Sequence, residues 1–334
     1  MNDLWHILNA LKAWTPQQQV GLLFLILFGT LSLVSAATAF VALRDRDREP
    51  DARRHGQGLE KFVYDLRAVW IGAVIFWLAW ITGAGGATLL FAAVSFLALR
   101  EFVTLMQTRR GDHRSLMLAF FVVLPVQFVL AGNRNFDLFT VFIPVYVFLA
   151  IPVLSAFGGD PLRFLERNAK IQWGVMVCVF GLSHAPALLL LEFPNARDRG
   201  AFLVFFLVIV TVVGQILEEL LSSRMRRRPV ARLIDRTFDL RAALVACLGA
   251  AVVGGLLFWI TPFKLLQAMA SAFIAAGAGV LGAFVMTALK KDAGVTVWGN
   301  SGAVTGAVGL LDRVAPLCFA APVFFHAVRW YFQL

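Results

Sequence analysis

Near the C-terminal end, an apolar run stops at Lys290, Lys291 and Asp292. A stretch with glycines at 294, 299, 302, 306 and 309 follows, then Asp312 and Arg313, and then a second apolar run. These residue types suit phosphate chemistry. Glycine lets the backbone approach a phosphate closely and adopt positive φ, which makes Gly306 and Gly309 candidate substrate contacts. Aspartates beside phosphates hold Mg²⁺, which takes hard oxygen ligands and keeps several waters. Glycine-rich connectors between helices also serve packing alone. A second cationic stretch, SSRMRRRPVARLIDRTFDLR, holds seven arginines, Arg227 and Arg228 among them. Such a cluster can hold anionic headgroups at about 1 kcal/mol per basic residue or grip phosphates bidentately. It can equally be a plain membrane anchor.

Membrane-length elements must position these residues. The chain is 60% hydrophobic and 15% charged, well below the roughly 25% charge of a soluble domain. Its mean hydropathy is +0.78. Long charge-poor runs of this kind imply an all-α, polytopic integral membrane protein. Their continuity excludes a β-barrel, which needs alternation. The net charge of +10 would suggest nucleic acid in a soluble chain. Here the basic residues sit in short connections, as membrane orientation requires, so no nucleic-acid partner is expected. Cys178, Cys247 and Cys318 all lie in apolar runs without metal-type spacing, and no disulfide framework is implied.

The pattern predicts about ten transmembrane helices. The first covers residues 20–43, which carry no charge. That run is longer than a usual signal core, so no cleavable signal peptide is expected. A polar linker of alternating charge follows. Arg67 and Arg100 bracket an apolar run too long for one helix, and the glycines around residue 85 break it into two spans. Seven more are expected at about 117–131, 137–157, 171–191, 201–221, 242–262, 265–289 and 314–333. With the N-terminus outside, the inward connections hold 24 of the 30 Lys and Arg, and the outward ones six. That asymmetry places the polar loop at the cytoplasmic face of the membrane. The expected domains are an N-terminal segment, 1–66, with one extra span, and a membrane domain, 67–334.

Other polar groups are fewer. Arg100-Glu101 reads as an interfacial ion pair at a helix end. Asp160, Arg163, Glu166, Arg167 and Lys170 form a charged connection with helical spacing. Gln215, Glu218 and Glu219 share one helix face by three- and four-residue spacing. His184, before Ala185-Pro186, reads as a packed histidine bonded to a backbone carbonyl.

From residue 67 to 333 the sequence resembles the bacterial phosphatidate cytidylyltransferases (CDP-diacylglycerol synthases). The matching phrases run in order: SFLALREFVTL, TRRGDHR, IPVYVFLAIPV, FLERNAKIQWGVM, LSHAPALL, WITPF, VMTALKKDAGV with Trp298-Gly299, and LLDRV before LCFAAPVFFHAVRWYF. The resemblance implies a many-helix membrane fold, often dimeric, with a cytoplasm-facing cavity. It implies the reaction of CTP with phosphatidate to give CDP-diacylglycerol and pyrophosphate, with Mg²⁺. Carried onto this sequence, Asp312, Arg313, Lys290 and Lys291 are the expected catalytic residues, and Asp312 and Asp292 the expected metal ligands. Arg236 and Thr237 stand near the family's nucleotide motif.

The sequence departs from the family pattern at several acids. Thr296 and Val297 replace a Lys-Asp pair, Gly306-Ala307-Val308-Gly309 lacks a histidine, and Ala315 replaces a second aspartate. The membrane-packing phrases are kept while the metal-holding acids are mostly gone. Two functions follow as expectations: a cytidylyltransferase-like enzyme with altered or reduced chemistry, or a non-catalytic lipid-binding subunit paired with an intact relative. A transporter fits less well, because the spans lack paired intramembrane charges.

Overall fold

A computed structural model describes residues 11, 14–46, 70, 74, 77–104, 109–193, 199–225, 229–295 and 309–334. Every regular element among them is helical. In chain order they are α1 (Pro16–Arg46), α2 (Gly83–Thr104), α3 (Arg110–Gly132), α4 (Phe136–Ala156), α5 (Phe164–Leu189), α6 (Gly200–Arg224), α7 (Leu240–Leu256), α8 (Leu265–Asp292) and α9 (Leu310–Phe332). Eight are long and apolar enough to cross a membrane. The chain is therefore a polytopic helical membrane protein.

The two remaining expected spans have specific outcomes. α7 has 17 residues, roughly 26 Å at 1.5 Å per residue, against a hydrocarbon core of about 30 Å. A 3₁₀ turn at Phe258–Ile260 extends it, and the Thr261 hydroxyl donates to the Phe258 carbonyl at 2.9 Å. The span expected before Gly83 lies partly outside the described residues, and so does most of the polar linker after residue 46.

The chain divides into two compact units, Met1–Gly83 and Ala84–Leu334. In the first, aromatic contacts join α1 to the tryptophans that follow it. The rings of Phe24 and Trp77 lie 4.7 Å apart, and the Trp70 indole donates to Ser35 Oγ at 2.9 Å.

In the second unit small residues let helices approach closely, as they must where lipid offers no hydrophobic drive. A Cβ on Gly181 of α5 would meet the Cys318 carbonyl oxygen of α9 at 2.3 Å. One on Gly282 of α8 would meet the Phe319 ring of α9 at 2.3 Å. Phe102, Phe139, Phe202, Phe206, Phe324 and Phe325 fill the centre and are fully buried.

Helix irregularities are compensated locally, because an unsatisfied backbone group in lipid costs several kcal/mol (roughly). Pro152 has no N–H to offer the Phe148 carbonyl one turn back. The Gln172 amide donates to that carbonyl instead, at 2.9 Å. π-helical turns interrupt α3, α4 and α5 at Ala119–Val123, Phe142–Val147 and Val175–Gly181. Within the last of these, the Cys178 carbonyl accepts from Ser95 Oγ at 2.7 Å. His184 is fully buried and its Nδ1 lies 2.7 Å from the Phe180 carbonyl, which can only accept, so Nδ1 carries the proton. It is the packed histidine the sequence suggested.

Candidate functional site

The C-terminal end of α8 and the head of α9 meet where the glycine-rich stretch begins and ends. Lys290, in the last turn of α8, reaches Asp312, in the first turn of α9, with Nζ 2.6 Å from Oδ1. The side chains are 18% and 31% exposed, so the pair is neither sealed in the core nor freely solvated. Gly309 precedes the helix at φ +71°, a left-handed conformation that favours glycine, and no side chain of its own caps α9.

The cap comes from α2. Glu101 Oε2 accepts from the Leu311 N–H at 3.0 Å. The Gly309 and Leu310 amides lie near enough to favour the charge on the same carboxylate. Glu101 is only 2% exposed, and among the described residues Oε1 has no hydrogen-bond partner. The glutamate that the sequence suggests as half of an exposed helix-end ion pair is thus buried inside the bundle. It sits against the amide-rich, positive end of a helix, which offsets the cost of burying a carboxylate. The neighbouring Asp312 acts on it electrostatically.

Helix geometry separates the other predicted residues. Asp292 is exposed at the last position of α8. Two residues beyond Lys290, it points roughly 200° around the helix from it. Lys291 and Arg313 are exposed at the same junction. Arg236 and Thr237 are exposed in the connection before α7. There the backbone N–H and hydroxyl of Thr237 both donate to Asp235 Oδ1, at 2.7 and 2.6 Å. Glu218 on α6 is buried within electrostatic reach of Asp235. Gly306, Arg227 and Arg228 lie outside the described residues, as do Thr296 and Val297.

A sequence model of the cytidylyltransferase family matches residues 66–331. The chain is also 35% identical over 266 residues to the uncharacterized protein YnbB of Escherichia coli (strain K12), covering 78% of this chain and 85% of that protein. The chain belongs to the cytidylyltransferase family. Membership supports a cytidylyltransferase-like function, and the helical membrane fold agrees with it.

The cytidylyltransferase-family site carries few acids here. Among the described residues no group of three or more His, Cys, Asp or Glu could hold a metal ion. What remains fits an Mg²⁺ carried largely by substrate phosphates, which needs only one or two carboxylates. Asp312 is one hard-oxygen donor.

The sequence reading missed the role of Glu101, although a signal was present. Ser95, Ala98, Leu99 and Phe102 mark the buried face of α2, and Glu101 lies three residues from Ala98 on that face.

Proposed function

We propose that the protein is a membrane-embedded nucleotidyltransferase that transfers CMP from CTP to the phosphate of a phospholipid, phosphatidate being the expected acceptor. The observation that carries this reading is the half-open Lys290–Asp312 pair, kept at the family's motif positions in a chain the family model matches from 66 to 331. In the reaction an oxygen of the lipid phosphate bonds to the α-phosphorus of CTP. The bond from that phosphorus to the bridging oxygen breaks, and pyrophosphate leaves with the electron pair. Lys290, Lys291 and Arg313 neutralise the triphosphate and the departing pyrophosphate. Asp312 would hold Mg²⁺, with Asp292 as a second oxygen donor; the bound ion would neutralise charge on the phosphates. Gly306 and Gly309 would let backbone approach the phosphates, and Arg227, Arg228, Arg236 and Thr237 would contact headgroup or nucleotide. The charge asymmetry of the connections supports a site facing the cytoplasm of a bacterial inner membrane, with the N-terminus outside.

A second reading is favoured by one observation. Val297 and Ala315 stand where the family has acids, and Asp312 already gives Oδ1 to Lys290. On this reading the protein is a lipid-binding subunit, a homodimer or the partner of an intact relative.

The test is incorporation of radiolabelled CTP into lipid by purified protein in phosphatidate-containing micelles with Mg²⁺. The enzyme reading expects incorporation that EDTA abolishes, Mg²⁺ restores and Asp312→Ala eliminates. No incorporation from folded protein, with an intact relative active alongside, would sink it in favour of the subunit.

A further inference from the structure

The head of α9 is intrinsically weak. Its N-cap is a glycine with no side chain to accept the first free N–H groups. Pro316 lies one turn along and has no N–H, so the Asp312 carbonyl lacks its ordinary helical donor. The turn that presents Asp312 thus lacks both a cap of its own and one of its backbone bonds. Glu101 arrives from 210 residues away and takes the Leu311 N–H at 3.0 Å. Around Glu101, α2 is fixed in the core: Ala98, Leu99 and Phe102 are at most 1% exposed. Gly174 of α5 leaves room for Phe102, whose ring would lie 2.7 Å from an added Cβ.

We propose that Glu101 is a positioning residue: clamped in the core by α2, it fixes the first turn of α9 so that Asp312 meets Lys290. The clamp deepens the transferase reading and rests on it for its effect on turnover, but not for its effect on structure. Glu101 acts through hydrogen-bond acceptance at α9 and does not touch the reacting atoms. An amide oxygen at the same place therefore serves nearly as well as the carboxylate.

The experiment compares wild type, Glu101→Ala and Glu101→Gln by amide hydrogen exchange and by CTP incorporation on the same preparations. In Glu101→Ala the amides of residues 309–312 should exchange about tenfold faster, the size of a lost helix cap. The remaining helices should keep their protection. Incorporation should fall at least about tenfold in Glu101→Ala, and Glu101→Gln should restore both protection and most of the turnover. Adding Pro316→Ala to Glu101→Ala returns a donor to the Asp312 carbonyl and should recover part of the protection. Should Glu101→Ala not fold, Glu101→Asp, one methylene too short to reach, reads the same loss.

Unchanged exchange at 309–312 in Glu101→Ala would overturn the proposal. So would a Glu101→Gln protein that keeps its protection yet is as inactive as Glu101→Ala, since the charge would then act on the chemistry itself. If wild type incorporates nothing, the transferase reading falls, and the exchange comparison alone decides for or against the clamp.

Discussion

Two ion-pair clusters are built in opposite ways. At the start of α3 and α5, Arg167 Nε lies 3.0 Å from Asp112 Oδ1, and another guanidinium nitrogen lies 2.5 Å from Asp160 Oδ2. The Arg167 side chain is 5% exposed and that of Asp112 2%. The cluster is further tied by the Arg109 N–H to Asp112 Oδ2 at 2.9 Å and by Arg167 to the Asp160 carbonyl at 2.9 Å. At α8 and α9, Lys290 and Asp312 stand half open beside a glycine-rich stretch. A closed, multiply bonded cluster holds helices in place. A half-open pair can exchange its internal partner for a ligand. The first accordingly serves the scaffold, and on the proposed function the second serves the chemistry.

Removing Arg167 should break the comparison most strongly. Arg167→Ala removes the guanidinium shared by two carboxylates, one of them buried, a change worth about 3–5 kcal/mol. It should show as loss of folded protein in fluorescence-detected size exclusion. Next is packing: Gly282→Leu drives atoms into the space held by Phe319. Overpacking of this kind costs about 1–3 kcal/mol and should lower the melting temperature in detergent. Lys290→Ala should cost no more than about 1 kcal/mol, because its pair is partly exposed, while CTP incorporation falls at least tenfold (roughly) for loss of a phosphate-neutralising cation.

The smallest effect is a pH dependence. The Leu162 amide, and then Arg167 and Arg109, hold the Asp160 carboxyl below its ordinary value. A depressed value in the folded protein gives stability that is present above about pH 4 and lost as pH falls through the folded value. Melting curves from pH 6 to 3 should therefore fall slightly less steeply for Asp160→Asn than for wild type.

Much of this was legible in the sequence. Long apolar runs set the class, and Lys290 and Asp312 stand out by residue type together with the family resemblance. Pairing within a helix was legible too: Lys170 meets Glu166 at 2.7 Å, four residues apart. What was not legible crosses the chain. Glu101 and Leu311 are brought together only by the packing of α2 against α9, so the glutamate read as an interfacial charge. Arg167, read with its near neighbours, meets one of them, Asp160, but also Asp112 from α3. Helix periodicity did contain the message that Asp292 turns away from Lys290, but the two residues read as one cluster because they adjoin in sequence.

The most direct measurement of the central claim is CTP incorporation by Lys290→Ala beside Asp160→Asn, at equal amounts of folded protein and with melting temperatures recorded. The account predicts that Lys290→Ala loses transfer while melting nearly as wild type does, and that Asp160→Asn keeps transfer. A Lys290→Ala protein that transfers CMP as wild type does, or one that loses transfer only in step with its stability, would contradict it.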